Sequence, residues 1–378
     1  MTSAERRQVR FARRKAERDQ KKQLYYSQFD DFSLVSDPDN LLKAARASKK
    51  SVTWKESVQR YNINLLINIA SSVRKLNEGE SITCGFVEFD LRERGKTRHI
   101  KSVHISERVI QKCLSDQVLV PVLSRSLIYD NGASLKDKGL HFSMRRLKTH
   151  LSKYYRHYGN SGYCLSIDFS KYFDNIRHDI LLKQIDYFLH DKKIIDLVHS
   201  LIKPFGDGIS LGLGSQVSQI AAIFYANKLD HYIREKYRII YHGRYMDDLY
   251  LIHESKEYLK QCLGEIDVIC KTLGITINKK KTKIVKLKDG VKFLKGIYTL
   301  TESGKIVCRA DTAARKRMRR KLVKYKKLLE AGKITNEDIR ISYQSWRGNY
   351  IRRFNAYHTI RRMDSLYDGL FINNRRII

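Results

Sequence analysis

Cysteine pairs, histidine clusters and long apolar runs are all missing from this sequence of 378 residues. The six cysteines form no C-x-x-C pair and the 12 histidines show no H-E-x-x-H spacing, which argues against a zinc or histidine metal site. No apolar run approaches the ~20 residues that span a bilayer, and the basic N-terminus lacks the apolar segment of a signal peptide. The sequence therefore predicts a soluble, cytoplasmic protein whose thiols are reduced.

Acidic residues are also few relative to basic residues. The chain has 74 Lys and Arg residues against 40 Asp and Glu residues, a formal net charge of +34. Such an excess predicts a polyanionic partner, and nucleic acid is favoured over the alternative, an anionic membrane. With 42% hydrophobic residues the chain can bury a sizeable core, and its length is typical of two or three domains.

Two adjacent carboxylates lie between two apolar runs. Tyr245-Met246-Asp247-Asp248 follows residues 239–241 and precedes residues 249–252, a pattern typical of a strand, a tight turn and a second strand. Two acidic residues at a hairpin tip are costly unless a cation lies against them, and a divalent metal is the leading candidate. Because successive strand residues face opposite ways, we expect Asp247 to be the primary ligand and Asp248 to tune it. The alternative is a solvated acidic hairpin.

A third carboxylate, Asp168, is predicted at the end of the alternating strand that begins at Tyr163. Beside the hairpin tip it would complete a site for two Mg²⁺ ions roughly 3.5–4 Å apart, the arrangement used for nucleotidyl transfer. Residues 168–174 resemble motif A, and residues 245–248 resemble motif C, of reverse transcriptases.

The resemblance implies an α+β protein with the right-hand polymerase fold of fingers, palm and thumb. We expect a basic N-terminal arm at 1–36, N-terminal helices and fingers at 37–160, the palm at 161–308 and a helical thumb at 309–378. Residues 1–24 carry nine Lys or Arg against three acidic residues. This arm is interpreted as helical only when bound to RNA, with a frayed, solvated terminus as the alternative.

Several residues are assigned to the incoming nucleotide. Lys96 and Arg98 lie two apart in a predicted hairpin that turns at Gly95, so that they present paired cations to a triphosphate. In motif A, Phe169 follows the catalytic aspartate and Phe173 lies where the family has an aromatic ring under the deoxyribose. For Phe173 the alternative is a core aromatic residue.

The segment between motifs A and C resembles motif B but departs from its usual Gln-Gly-x-x-x-Ser-Pro. The chain has Leu213, Gly214, Ser218 and Gln219 at the corresponding positions, which resembles the reverse transcriptases of diversity-generating retroelements. That resemblance implies low fidelity, with errors opposite template adenines. The alternative is that Leu213 only packs against the motif B helix.

Basic residues complete the predicted site. Residues 275–283 resemble motif D, and Lys281 is chosen among three adjacent lysines as the acid for the leaving pyrophosphate. Residues 293–296 resemble the primer-grip turn. From residue 311 onward, an apolar stripe alternates with cations that are predicted to bind the primer–template, although a bundle core alone would explain the apolar residues. The predicted nucleic-acid ligands are Arg315, Arg319, Arg320, Lys324 and Arg347.

The sequence thus predicts an RNA-directed DNA polymerase that uses two Mg²⁺ ions, with Mn²⁺ able to substitute. Its expected partners are an RNA template, dNTPs and the cDNA product, a structured non-coding or template-repeat RNA, and a small basic accessory protein. Two alternatives stay open: an antiphage-defence reverse transcriptase with a small structured RNA, and a catalytically silent RNA-binding scaffold. No room is expected after the thumb for an RNase H or nuclease domain.

Overall fold

The computed structural model describes residues 1–93 and 95–372, except for the side chains of Glu93 and Lys96. Helices and antiparallel sheets are mixed along the chain, which confirms the predicted α+β class. Within the described ranges no helix is both long enough and apolar enough to cross a membrane.

The helices are α1 (Ser3–Ser27), α2 (Ser33–Ser36), α3 (Pro38–Ser48), α4 (Glu56–Ile63), α5 (Leu65–Glu78), α6 (Ile105–Leu114), α7 (Val120–Ser124), α8 (Leu140–Tyr158), α9 (His178–Asp186), α10 (Lys192–Ile202), α11 (Gln216–Tyr225), α12 (Asn227–Glu235), α13 (Lys256–Thr272), α14 (Thr312–Glu330), α15 (Asn336–Arg353) and α16 (Tyr357–Phe371). The strands are β1 (Phe86–Glu93), β2 (Lys96–Val103), β3 (Tyr163–Ser170), β4 (His242–Tyr245), β5 (Asp248–His253), β6 (Thr276–Ile277), β7 (Lys283–Lys286), β8 (Val291–Phe293), β9 (Gly296–Leu300) and β10 (Ile306–Ala310).

Contacts divide the chain into two compact units, each built from three segments. The first unit comprises Met1–Lys136, Phe169–Lys236 and Ile266–Thr276, and the second comprises Asp137–Asp168, Tyr237–Glu265 and Ile277–Ile378. The four domain ranges expected from the sequence stay a prediction.

The second unit contains the sheet that carries the acidic motifs. Strand β3 pairs antiparallel with both β5 and β7, and β4 pairs with β5. Helix α8 covers one face of this sheet, where Leu147, Leu151 and Tyr154 share a core with Tyr250 and Ile252. Burying each such large apolar side chain contributes about 1.5–3 kcal/mol, so this face fixes the position of β5 firmly.

The second unit also contains a three-stranded sheet, β10-β9-β8, and the three C-terminal helices. The predicted apolar stripe of α14 is buried at Met318 and Leu322, which pack with Tyr343 and Met363. Cationic positions fill the other faces of α14, as the period of the sequence indicated.

The first unit contains the predicted hairpin, with β1 and β2 paired from Phe86↔Val103 to Glu93↔Lys96. Its base is held by Phe86, whose ring centroid lies 4.9 Å from that of Phe205, and by Lys101, which donates to the Phe205 carbonyl at 3.3 Å.

One local expectation differs from the structure. Strand β3 continues two residues past Asp168, because Phe169 is apolar and buried. The motif B helix is divided into α11 and α12, which meet at Ala226, and Ser215 caps the start of α11. The N-terminal arm contains α1, where Thr2 and Glu5 form a capping box at the start.

Candidate active site

The acidic tip is a two-residue turn between β4 and β5. Tyr245 pairs with Asp248, which leaves Met246 and Asp247 at the turn, and Met246 adopts a φ of 55°. A fully buried cation supports this strained residue, because Nη1 of Arg244 donates to the Met246 carbonyl at 3.1 Å. Sequence reasoning missed Arg244, although an arginine between β-formers just before an acidic turn was a usable signal.

The strand register brings the predicted carboxylates together. Asp168 of β3 lies directly opposite Asp248 of β5, and Asp247 is the adjacent turn residue. Burial, followed by the negative charges of Asp247 and Asp168, raises the pKa of Asp248 to about 7, while Lys281 acts in the opposite direction. Such crowding of negative charge is the condition in which a bound cation is most favourable.

Lys281 already lies against this cluster. Its Nζ is 2.7 Å from both carboxylate oxygens of Asp168, whose side chain is only 14% exposed. The hydrogen bond to Asp168 raises the pKa of Lys281, so the amine is protonated at neutral pH. Lys281, the predicted acid, is therefore in direct contact with the predicted metal ligand Asp168, and its role stays a prediction.

A second residue holds Asp168 in place. The Asn278 side chain donates from Nδ2 to Oδ1 of Asp168 at 3.1 Å, and its backbone N–H donates to the Asp168 carbonyl at 2.8 Å. Sequence reasoning missed Asn278, which stands three residues before Lys281 and directly after β6.

The donor chemistry suits a hard divalent metal, since all three side chains offer carboxylate oxygens. No group of three or more His, Cys, Asp or Glu side chains in the described ranges is gathered closely enough to hold an ion as it stands. The Lys281 ammonium group lies beside Asp168, so a divalent ion at this site would interact with the three carboxylates and with this cation.

A cleft of about 720 Å³ opens beside Asp168 and Asp248. Its rim includes the predicted primer-grip turn, where Leu294 and Lys295 both adopt positive φ (48° and 67°) between β8 and β9. Turns of this kind favour glycine or asparagine, so a leucine and a lysine there are strained. Apolar side chains and several cations line the cleft: Ile167, Leu249, Val285, Phe293, Leu294, Ile297, Lys280, Lys281, Lys283, Lys292 and Lys295.

The nucleotide residues of motif A lie in the first unit. Phe169 is buried, and its ring centroid lies 5.5 Å from that of Tyr172. Phe173 is half-buried at the start of a short 3₁₀ turn, and its carbonyl accepts from the Leu211 N–H at 2.9 Å. This bond brings the Phe173 backbone to the motif B loop.

The motif B loop places its predicted residues in different environments. Leu213 is half-buried, Gly214 is exposed at a φ of 109°, Ser218 is fully buried and Gln219 is exposed on the first turn of α11. A side chain at Gly214 would be strained by its backbone conformation. Leu213, Gly214 and Gln219 are therefore the members of this group that a ligand could reach.

A series of hydrogen bonds between buried polar residues fixes the motif B loop, and the sequence analysis did not predict it. Ser215 caps α11 by accepting from the Ser218 N–H at 3.2 Å, and its hydroxyl donates to Gln111 Oε1 at 2.8 Å. Gln111 in turn donates to Glu107 at 2.9 Å, and Glu107 accepts from the Cys84 N–H at 3.2 Å. Burial raises the pKa of Glu107.

The remaining predicted residues are spread over both units. Arg98 is exposed on β2, and the side chain of Lys96 lies outside the described part of the structure. On α14 Arg319, Arg320 and Lys324 are exposed, and Arg315 is half-buried.

Arg347 on α15 is engaged within the protein. Its Nε and Nη2 lie 3.0 and 3.1 Å from the two carboxylate oxygens of Asp364, which also accepts from the Tyr343 hydroxyl at 2.7 Å. The ion pair joins α15 to α16, so its first role is to hold these helices together.

Comparison with known proteins gives a family match and weaker likenesses. "Putative COX1/OXI3 intron 1 protein" of Saccharomyces cerevisiae is 29% identical over 90 residues, which make up 23% of this chain and 11% of that protein. Truncated apo telomerase from Candida tropicalis gives a TM-score of 0.46 at 15% identity, over 60% of this chain and 55% of that chain. Telomerase from Candida albicans in complex with a TWJ fragment of telomeric RNA gives 0.47 at 14% identity, over 64% and 51%.

TM-scores below 0.5 are too low to support a conclusion about this chain. The chain also spans only about half of those telomerase chains. The match to a family model is stronger than these likenesses. The model described as reverse transcriptase (RNA-dependent DNA polymerase) matches residues 89–297, which is more than half of the chain and includes motifs A to D. The match confirms the right-hand polymerase fold that the motifs predicted, and the chain belongs to the reverse transcriptase (RNA-dependent DNA polymerase) family.

Proposed function

We propose that this protein copies a dedicated RNA into cDNA by two-metal nucleotidyl transfer. The observation that carries the proposal is the register of β3 and β5, which sets Asp168 opposite Asp248 beside the Asp247 turn, with Lys281 against Asp168. A catalytically silent scaffold would have no physical reason to bear the cost of three crowded carboxylates.

Asp168, Asp247 and Asp248 would hold two Mg²⁺ ions, with Mn²⁺ as a substitute. When bound, such ions activate the attacking hydroxyl and stabilise charge on the reacting phosphate. Asn278 keeps the Asp168 carboxylate oriented through its bond to Oδ1. Lys281, released from Asp168, is the proton donor for the leaving pyrophosphate, because its ammonium group is the charged acid nearest the cluster.

The remaining assignments follow from the proposed reaction. Arg98, with Lys96, binds the triphosphate, and Phe173 blocks a 2′-hydroxyl. The exposed cations of α14, Arg319, Arg320 and Lys324, bind the phosphates of the primer–template. A structured template-repeat RNA and a small basic accessory protein are the proposed partners.

The proposed subtype is the error-prone enzyme of a diversity-generating retroelement. It is supported by Leu213 and Gln219, which stand where most reverse transcriptases have glutamine and proline, and both are accessible in the motif B loop. Leucine offers no hydrogen bond with which to test base-pair geometry. An accurate enzyme would favour the antiphage-defence alternative.

Primer extension on poly(rA)/oligo(dT) tests the activity. We expect extension with Mg²⁺ and none with EDTA, and we expect Asp168→Asn and Asp247→Asn to abolish extension with RNA affinity nearly unchanged. Asp174→Asn is the matched control, because Asp174 is an exposed carboxylate of the same motif. Extension by either active-site variant would refute the two-metal assignment. An inactive wild type that still binds RNA would favour the scaffold.

A further inference from the structure

Helix α1 has no role in the proposed reaction, and it is unlike the other helices. Every residue from Met1 to Leu24 is exposed, so nearly the whole helix stands away from the core of the first unit. At about 1.5 Å per residue its 25 residues extend about 38 Å. A helix without a buried face usually needs another source of stability or another partner.

Both ends of α1 are defined. At the start, the Thr2 hydroxyl accepts from the Glu5 N–H at 3.2 Å, and the Glu5 carboxylate accepts from the Thr2 N–H at 2.8 Å. In the last turn, the Tyr25 hydroxyl donates to the Pro121 carbonyl at 3.3 Å, and the Arg125 guanidinium lies 4.1 Å from the Tyr25 ring centroid. The helix is thus attached to the first unit by its C-terminal turn while the rest is open to solvent.

The next residue strengthens this attachment. Tyr26 is buried and packs edge-on against Phe188, with 6.0 Å between ring centroids, and the Lys22 amine lies 5.7 Å from both rings. Because these contacts fix the end of α1, its exposed length is presented in a defined direction rather than as a flexible tail.

One face of α1 carries a line of cations, here called the arginine stripe. Its members are separated by three, four, four and three residues, a spacing that places them within one side of a helix. They are Arg7, Arg10, Arg14, Arg18 and Lys21. All are exposed, and the four arginines line a shared surface depression together with Phe11 and Glu17.

The stripe is unfavourable for the isolated helix. Arg10 lies four residues from both Arg6 and Arg14, and Arg14 lies four residues from Arg18, so like charges repel along successive turns. Only Arg13 finds an acidic partner at this spacing, with its Nε 3.4 Å from Glu17. A bound polyanion would remove this repulsion, so the charge pattern is explained by a ligand and not by folding.

The chemistry of the helix selects the class of polyanion. The side opposite the stripe has Val9, Ala12, Ala16 and Gln20, which is too small and too polar to enter a membrane. Single-stranded nucleic acid is usually bound by stacking on several aromatic rings, and the stripe has only Phe11 beside it. Cations spaced along a rigid rod instead match the phosphates of a paired nucleic acid.

We infer that the arginine stripe of α1 is a docking site for a base-paired segment of RNA, in addition to the primer–template contacts proposed for α14. Arginine-rich segments are a recurrent means of binding structured RNA. The choice of RNA over DNA rests on the proposed function, in which a dedicated RNA must stay associated with the enzyme while its template region is copied.

The test uses the full-length protein and three variants. The stripe variant carries Arg7→Gln, Arg14→Gln and Arg18→Gln. The control variant carries Arg6→Gln, Arg13→Gln and Lys15→Gln, which remove the same charge from positions outside the stripe. The third variant replaces the same three stripe arginines with lysine, which keeps the charge and the helix.

The probe is a paired RNA hairpin of about 20 base pairs, which is long enough to contact the whole of α1. We expect the stripe variant to raise the Kd about tenfold or more and to reduce the slope of log K against log salt by about two to three. The control variant should change the Kd less than about threefold, and the lysine variant should stay within about threefold of the wild type. Circular dichroism checks that α1 stays helical.

Four results would overturn the inference. They are an unchanged Kd in the stripe variant, equal losses in the stripe and control variants, equal stripe-dependent binding of a DNA hairpin of the same sequence, and stripe-dependent binding of phosphatidylserine vesicles without an effect on RNA. Extension of poly(rA)/oligo(dT), measured in parallel, separates this inference from the proposed function. If neither the wild type nor any variant extends the primer, but the stripe variant still binds the RNA hairpin more weakly than the control variant does, the polymerase proposal is refuted. The assignment of α1 as an RNA-docking helix then remains.

Discussion

Lys281 and Asp168, 113 residues apart in sequence, form an ion pair in which the amine lies 2.7 Å from both carboxylate oxygens. The pair joins the predicted acid of motif D to the predicted metal ligand of motif A. Under the proposed function, the amine leaves Asp168 when metal ions and substrate bind.

Replacing Lys281 tests its role as an acid. Lys281→Ala should lower the rate of nucleotide addition about 10²- to 10³-fold with little change in template affinity, because a positioned acid contributes that much. Rapid-quench kinetics over a range of pH provides the measurement. Lys280→Ala is the control, since Lys280 is an exposed neighbour that lines the same cleft. Equal losses of rate in Lys281→Ala and Lys280→Ala would show that the effect comes from removing a positive charge near the cleft and not from removing an acid.

Phe173 should determine the choice of sugar. Phe173→Val should let the enzyme incorporate ribonucleotides with no matching loss of dNTP use, because the clash with a 2′-hydroxyl is removed. The ratio of kcat/KM for dTTP and UTP measures this selectivity. Tyr172→Phe is the control, since Tyr172 is a buried neighbour whose hydroxyl donates to the Ala222 carbonyl at 2.7 Å. An unchanged preference for dTTP over UTP in Phe173→Val would show that Phe173 only packs against its neighbours and does not select the sugar.

Leu213 should set the accuracy of copying. Leu213→Gln should restore a polar contact worth roughly 1–3 kcal/mol of discrimination, and errors should fall roughly ten- to a hundredfold, chiefly opposite template adenines. Sequencing of cDNA from the wild type and the variant measures both rate and spectrum. Ile209→Gln adds the same side chain at an exposed position of the same loop. An accurate wild type would contradict the retroelement subtype.

His99 should make the β1–β2 hairpin sensitive to pH. Its ring nitrogens lie 3.0 Å from Asp90 and 2.9 Å from Glu88, and these hydrogen bonds raise its pKa above the ordinary 6.5. The interaction of protonated His99 with Asp90 and Glu88 therefore stabilises the folded hairpin fully below pH 6.5. This stabilisation is lost as the pH rises through the higher pKa of His99 in the folded protein. NMR titration of the His99 ring should give a midpoint above 6.5 that falls in Glu88→Gln with Asp90→Asn.

The matched control for this titration is Glu80→Gln, which removes a carboxylate paired with Arg74 in the same unit. It should leave the His99 midpoint unchanged. A midpoint that does not move in the Glu88 and Asp90 variant would show that these carboxylates do not hold the proton on His99.

Local patterns in the sequence determined many of the helices, strands and turns of this protein. The acidic turn at Asp247, the strand that carries Asp168 and the apolar stripe through Met318 and Leu322 could all be predicted from periodicity and residue type. The reason is that side-chain period and turn preference act over a few neighbouring residues. Motif order then identified the family, which the match over residues 89–297 confirmed.

Only the tertiary structure decided which distant groups meet. Asn278 donates to Asp168, 110 residues away, and Ser215 donates to Gln111, 104 residues away. Arg347 pairs with Asp364 across two helices, which its place in a basic segment did not indicate. Such pairings depend on strand register and helix packing over the whole unit, and no local pattern encodes them, because a polar side chain finds its partner only after the chain has folded.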